Sequence, residues 1–336
     1  MISKETAVEV FSIIDDSANR KKAMRDLARQ RGVSINTIER YYRYGAIDAR
    51  QGQPKAVKTQ RDKYLDKLRD MPEEVLKAFV KTGTEVPVRR PVQKIKLNKK
   101  SFKIGFFTDS HMGNHVFRED WWFEMVDDFN RNEIDVCLCA GDVTDGLYTH
   151  RKGHVFELSH LGYIAQRDYA IEMLSYLKQP FYAISGNHDL TYQKDIDADI
   201  VEEICNGLPN ATYIGKDIGD VKINDIIIRL FHGGGGSAYA LSYRLQKYVE
   251  QIQGGDKPDI LLSGHTHKSF YMPSYRNIEC FSGGAMCEQS DWMMATLKGN
   301  HSGYWVINVE YDKKGLYAVS GRFKPFFMEP IEKIYN

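Results

Sequence analysis

Five short apolar runs punctuate this chain, and each stops abruptly at polar residues. Lys103 to Thr108 leads into Asp109-Ser110-His111, and Ile134 to Ala140 into Gly141-Asp142. Phe181 to Ser185 leads into Gly186-Asn187-His188-Asp189, Ile226 to Phe231 into His232, and Asp259 to Ser263 into Gly264-His265-Thr266-His267. Runs of this length, β-branched or aromatic and closed by Gly or a polar residue, predict buried strands. Helical spacing appears between them. Trp121, Trp122, Met125, Val126 and Phe129 share one helical face, a further helix is expected near Gly162–Lys178, and an amphipathic one at about 238–253. The Tyr304-Trp305-Val306-Ile307 run predicts a last strand. The alternation points to an α/β (α+β) domain over 101–336.

The leading hundred residues have a different rhythm. Ala23–Arg31 carries apolar residues at helical spacing; Gly32-Val33-Ser34 then supplies a helix stop, a hydrophobe expected to be buried, and an N-cap. Ile35–Tyr44 follows as a short second helix that Gly45 should close, with Ile35, Ile38 and one tyrosine packed inward. A charged helix is expected at Gln60–Val80, divided by Pro72, and then a linker, Thr82–Lys100, holding Pro87, Pro91 and six Lys and Arg. The predicted domains are therefore 1–50, 51–100 and 101–336.

The residues that close the five strands change the picture from fold to chemistry. Strands of one sheet deliver their C-terminal residues to a single crevice. Asp109, His111, Asp142, Asn187, His232, His265 and His267 form a mixed oxygen and imidazole set, which suits Mn, Fe or Zn better than Ca or Mg alone. Seven ligands exceed one tetrahedral site but suffice for two ions sharing a carboxylate. Two such ions, roughly 3.5–4 Å apart, can clamp a phosphoryl group and generate hydroxide.

The ordered series Asp-x-His, Gly-Asp-x-x-Asp, Gly-Asn-His-Asp, a lone His and Gly-His-x-His resembles the calcineurin-like metallophosphoesterase family over about residues 100 to 310. The resemblance implies two facing mixed β-sheets flanked by helices. It implies that Asp109, His111 and His267 hold one ion, that Asn187, His232 and His265 hold the other, and that Asp142 bridges them. It favours Mn, with Fe, Zn or Ni also compatible. It further implies that His188 faces the scissile phosphate as general acid, that Asp189 orients His188, and that Asp145 supports the ligands from behind. Asp109-x-His111-x-Gly113 resembles the repair-nuclease branch, although the stretch after Asp145 lacks the Pro-Ser element of those exonucleases.

Charge adds a partner to this reading. Residues 1–100 contain 24 Lys and Arg against 13 Asp and Glu, a balance of +11, whereas the remainder carries 22 against 32, or −10. Carboxylates that hold cations account for an acidic catalytic part; a basic leading segment points to an anionic partner, most often nucleic acid. The Ala23–Tyr44 pattern resembles the helix-turn-helix of bacterial and phage DNA-binding proteins, which makes Asn36, Thr37, Arg40 and Arg43 the candidate groove contacts. In the loop after Asp145, His150, Arg151 and His154 are candidate substrate contacts. Five cysteines without zinc-finger spacing, and no apolar run long enough to span a bilayer, predict a cytoplasmic protein with no membrane partner. Homo-oligomerisation is left open. The expected activity is a dimetal phosphodiesterase, a nuclease cutting DNA by a metal-bridged hydroxide with a His general acid. The alternative is a small-molecule phosphatase or cyclic-nucleotide phosphodiesterase whose N-terminal segment serves docking.

Overall fold

The computed structural model describes residues 4–17, 19–51, 92–193, 197–235 and 238–328. The chain divides into two compact units, Met1–Pro87 and Val88–Asn336. Most of the expected linker, and the whole charged helix at Gln60–Val80, lie outside the described residues. One part of that linker is not a linker. Val92–Ile95 forms strand β1, paired in parallel with Asp220–Ile223. Lys99, from the same basic stretch, is paired with Asp135.

Among its described residues the first unit has three helices, α1 (Lys4–Asp15), α2 (Arg20–Arg31) and α3 (Ile35–Gln51). Helix α2 starts where the Asn19 side chain accepts the N–H of Lys22. It ends at Gly32 (φ 64°), with the N–H groups of Gly32 and Val33 donating to Arg29 and Ala28. That is the left-handed glycine stop expected from the sequence. The Ser34 hydroxyl accepts the N–H of Thr37 and caps α3. Three details differ from expectation. Helix α3 runs through Gly45, a cost of about 1 kcal/mol that helix-forming neighbours absorb. Val33 and Ile35 are exposed, because both sit at the turn, outside the small core of Val10, Ile14, Leu27, Ala28 and Ile38. Both Tyr41 and Tyr42 pack against that core, which α1 completes.

The second unit holds two six-stranded mixed sheets. One has the order β12 (Gly315–Pro325), β11 (Gly303–Asp312), β2 (Ser101–Phe107), β3 (Val136–Cys139), β4 (Phe181–Ser185), β5 (Ala211–Lys216). The other runs β1, β6 (Ile218–Ile223), β7 (Ile226–Phe231), β8 (Ile260–Ser263), β10 (Ile278–Gly283), β9 (Ser269–Tyr275). Strands β2 to β5 are parallel, as are β7, β8 and β10. Side chains alternating along the strands build the layer between the sheets: Phe102, Ile104 and Phe106 of β2 meet Ile228 and Leu230 of β7 and Leu262 of β8 in one cluster. The outer face of the first sheet is covered by α4 (Glu119–Arg131), α5 (Tyr163–Leu174) and α6 (Ile200–Asn206), and the outer face of the second by α7 (Tyr243–Gln251). Strands covered on both faces read as continuous apolar runs, which explains the pattern of the sequence. The approach of α4 to β2 depends on a missing side chain: a Cβ on Gly105 would stand 2.6 Å from the Phe129 ring.

Candidate active site

The residues that follow β2, β3, β4, β7 and β8 meet at one end of the two sheets. Their loops are laced by main-chain bonds, from Asp109 N–H to Gly141 and from His111 N–H to Asp142. Asp109, His111, Asp142, His265 and His267 all have φ between 50° and 71°. Positive φ in non-glycine residues is uncommon and costs of order 1–3 kcal/mol each, so five cases among seven expected ligands mark a strained, over-determined site.

The side chains fall into two groups. In the first, His111 Nε2 and His267 Nε2 are 3.1 Å apart, with Asp109 Oδ1 3.4 Å from His267 Nε2. Nδ1 of His111 faces Asp145 Oδ1 at 2.9 Å, and Nδ1 of His267 faces Asn300 Oδ1 at 3.0 Å. Both Nδ1 atoms therefore donate, and in neutral rings the two Nε2 lone pairs point at each other. In the second group, His232 Nδ1–H donates to the Ala140 carbonyl at 2.8 Å, which aims its Nε2 at Asn187 Oδ1 (3.0 Å) and Asp142 Oδ2 (3.1 Å). His265 Nε2–H donates to Gly235, leaving Nδ1 2.7 Å from the same Asn187 oxygen. Acceptors aimed at acceptors are satisfied only by a cation or an added proton between them, and this donor set fits divalent metals. Burial, followed by the charge of His188, lowers the pKa of His111, and burial likewise lowers that of His265, which keeps both imidazoles in the neutral form a metal needs. Burial works against the charge on His232, but Asp142 raises it to about 10, so a proton stands in for the cation there. Each group draws on both sheets: Asp109 and His111 with His267, and Asp142 and Asn187 with His232 and His265.

Asp145, buried, joins three histidines. Oδ1 accepts from His111 and lies 3.3 Å from His188 Nδ1, while Oδ2 accepts from Asn114 Nδ2 (2.8 Å) and His154 Nε2 (2.9 Å). Burial alone would raise this carboxyl, yet His111, His154 and His188 hold it well below the usual range. His188 Nδ1 donates to the Asp145 carbonyl at 2.9 Å, and its ring lines the cleft. Burial disfavours its charge, but Asp142 and Asp145 outweigh burial and raise the pKa to about 9, so the ring keeps a proton on Nε2.

Two expectations are corrected here. Asp189 does not orient His188. Its carboxylate accepts from the N–H groups of Val143, Thr144 and Gly186 and from the Thr144 hydroxyl, tying the β3 loop to the β4 loop. Asp145 does the orienting instead. His154 does not face the cleft: it is 1% exposed, its Nδ1 accepts the Tyr148 N–H, and its Nε2–H supports Asp145. His150 and Arg151 do line the cleft, a cavity of about 540 Å³ over the two groups. Asn36, Arg40 and Arg43 are exposed on α3, and Thr37 is half-buried beside Ser34.

Some site residues carried no sequence signal. Tyr148 Oη accepts Asn187 Nδ2 at 2.7 Å and its ring packs edge-on against His188. Asn300 holds His267 from a distance in sequence that no local pattern spans. Cys287 is buried with its sulfur close to the His111 and His267 nitrogens. Asn114 could have been found, since it extends the Asp109-x-His111-x-Gly113 motif by one residue.

Among the described residues no helix is long and apolar enough to cross a membrane. No curated protein matches the sequence significantly. Among solved structures, an archaeal phosphodiesterase is similar at 16% identity over 66% of this chain and 99% of its own, with a TM-score of 0.39. The phosphoesterase Yfce from E. coli is 16% identical over 65% and 98% (TM-score 0.36), and Vps29 from Chaetomium thermophilum is 12% identical over 67% and 98% (TM-score 0.36). The calcineurin-like phosphoesterase family model matches residues 102–269, half of the chain, and contains every one of the seven converging residues. With that match and the two mixed sheets that carry the site, the chain belongs to the calcineurin-like phosphoesterases, a family of metal-dependent hydrolases.

Proposed function

We propose that the protein is a dimetal phosphodiesterase that cuts DNA. The observation that carries the reading is the pair of facing acceptor groups, with His188 beside them in the cleft and its Nδ1 held by the Asp145 carbonyl. Asp109, His111 and His267 would hold one ion, Asn187, His232 and His265 the other, with Asp142 between the groups. Bound ions supply Lewis acidity that activates water and offsets phosphoryl charge, and Mn suits the oxygen and imidazole set.

The chain's own residues do the rest. Asp145 and its carbonyl hold His188 so that Nε2–H points into the cleft, placed to protonate a departing alkoxide. Asn114 and His154 hold Asp145, and Tyr148 fixes the amide of Asn187 so that its oxygen faces the imidazoles. DNA as substrate is supported by the N-terminal unit. Its glycine stop and serine cap set α2 and α3 in the helix-turn-helix order. Helix α2 carries six Lys and Arg against one Asp, and α3 presents Asn36, Arg40 and Arg43 at helical spacing.

The test is Mn-dependent cleavage of end-labelled linear and circular DNA, single- and double-stranded, with His188→Ala as control. Cleavage that vanishes in the control supports the nuclease, and circular DNA reports whether ends are needed. Hydrolysis of a chromogenic diester without any DNA cleavage would reject DNA as substrate in favour of a small phosphate ester.

A further inference from the structure

The cleft carries a second set of side chains that neither the ligands nor His188 uses. Trp292, on the short helix Asp291–Ala295, is 39% exposed, whereas Trp121, Trp122 and Trp305 are 7% exposed or less. The guanidinium carbon of Arg151 lies 4.5 Å from the centroid of its ring, and Nζ of Lys298 lies 4.0 Å from it. A cation held on an aromatic ring keeps its charge, unlike one neutralised by a carboxylate. Glu157 pairs with Arg151, but Lys298 and Lys268 have no carboxylate partner among the described residues. Lys268 reaches the same place: a Cβ on Gly299 would stand 2.4 Å from its Nζ, so the bare backbone at 299 makes room for the ammonium next to Lys298. Burial, then the charge of Arg151, lowers the pKa of Lys298. A guanidinium and an ammonium on one indole, with a second underpaired ammonium against the backbone of Gly299, are relieved by an anion. All of them line the cleft together with His188 and His267.

The geometry points to a phosphate clamp beside the catalytic centre, in which Lys268, Lys298 and Arg151 hold backbone phosphates flanking the scissile one. Trp292 is the positioning residue that aims Arg151 and Lys298. The inference rests on the phosphodiesterase reading and deepens it, because a clamp of this kind has work only on a polynucleotide strand. A small diester carries one charge, at the scissile phosphate, and leaves the clamp idle.

The test compares kcat/KM for a single-stranded oligonucleotide and for bis(4-nitrophenyl) phosphate in the Mn-loaded full-length protein, with Lys298→Ala, Lys268→Ala, Trp292→Ala and Trp292→Phe. In each lysine variant the oligonucleotide-to-diester ratio should fall at least about tenfold, chiefly through KM. The salt dependence of the oligonucleotide reaction should become shallower by about one counterion per lysine removed. Trp292→Ala should lower the ratio and Trp292→Phe should restore it, since the phenyl ring still seats cations. Because residues 1–100 contain no tryptophan and the other three are buried, oligonucleotide-induced quenching that disappears in Trp292→Phe places the strand in the cleft. Ratios within about twofold of wild type, with both substrates turned over, overturn the clamp and leave the phosphodiesterase standing. Wild type that hydrolyses the diester but not the oligonucleotide overturns the clamp together with DNA as substrate. Wild type that hydrolyses neither overturns the phosphodiesterase reading itself.

Discussion

The two ends of this chain present their chemistry in opposite ways. At the ligand loops the polar side chains are buried or half-buried and held by one another: Asp145 by His111, Asn114 and His154, Asp189 by two loops at once. In the N-terminal unit the side chains of interest stand in solvent on α3, above a core of five fully buried residues. The first arrangement fixes positions to fractions of an ångström and tolerates little change. The second fixes only a surface, on which each residue contributes modestly and almost independently. Geometry of the first kind suits bond-making, and that of the second suits recognition of a repeating, charged partner.

Substitutions should expose this contrast, with effects that shrink from the ligands outward. Asp142→Ala, which removes the carboxylate placed between the two groups, should cut turnover by at least about 10³-fold and lower the bound metal measured by atomic absorption. Retention of full metal content and activity would contradict the ligand assignment. His188→Ala should lower turnover by about 10²–10⁴-fold while metal content stays near that of wild type, because its ring faces the cleft and donates to Asp145. His154→Ala sharpens the comparison from behind the site: loss of a buried support for Asp145 should cost about 10–100-fold in metal affinity or activity. A simple rise in substrate KM would instead return His154 to the substrate loop. Arg40→Ala and Arg43→Ala should each weaken DNA binding by only about tenfold or less and reduce the salt slope by about one, read by fluorescence anisotropy. An effect as large as that of a ligand substitution would break the contrast altogether.

What could be read from the sequence follows the same division. The convergence of the seven candidate ligands was legible because they follow apolar strands, and parallel strands must release their ends on one side. The partner of His188 was not legible. Asp189 is its neighbour in sequence, but the chain turns sharply there and carries that carboxylate away, while Asp145, 43 residues earlier, supplies the contact. His154 lies in a loop that pattern alone places on the surface, and only the buried Asp145 explains why it turns inward. Trp292, Lys298 and Asn300 belong to the stretch between β10 and β11, whose one described helix is only five residues long, too short for a periodicity that ties a residue to a face. In the N-terminal unit the glycine stop and serine cap were readable, being local. The passage of α3 through Gly45 was not, since a single helix-weakening residue is outweighed by its neighbours.

The division of both ligand groups between the two sheets has a last consequence. Neither sheet carries a complete donor group, so the full site exists only once the two sheets have packed on each other. The packing of the two sheets is thus a safety catch on the site, which is whole only in the finished sandwich.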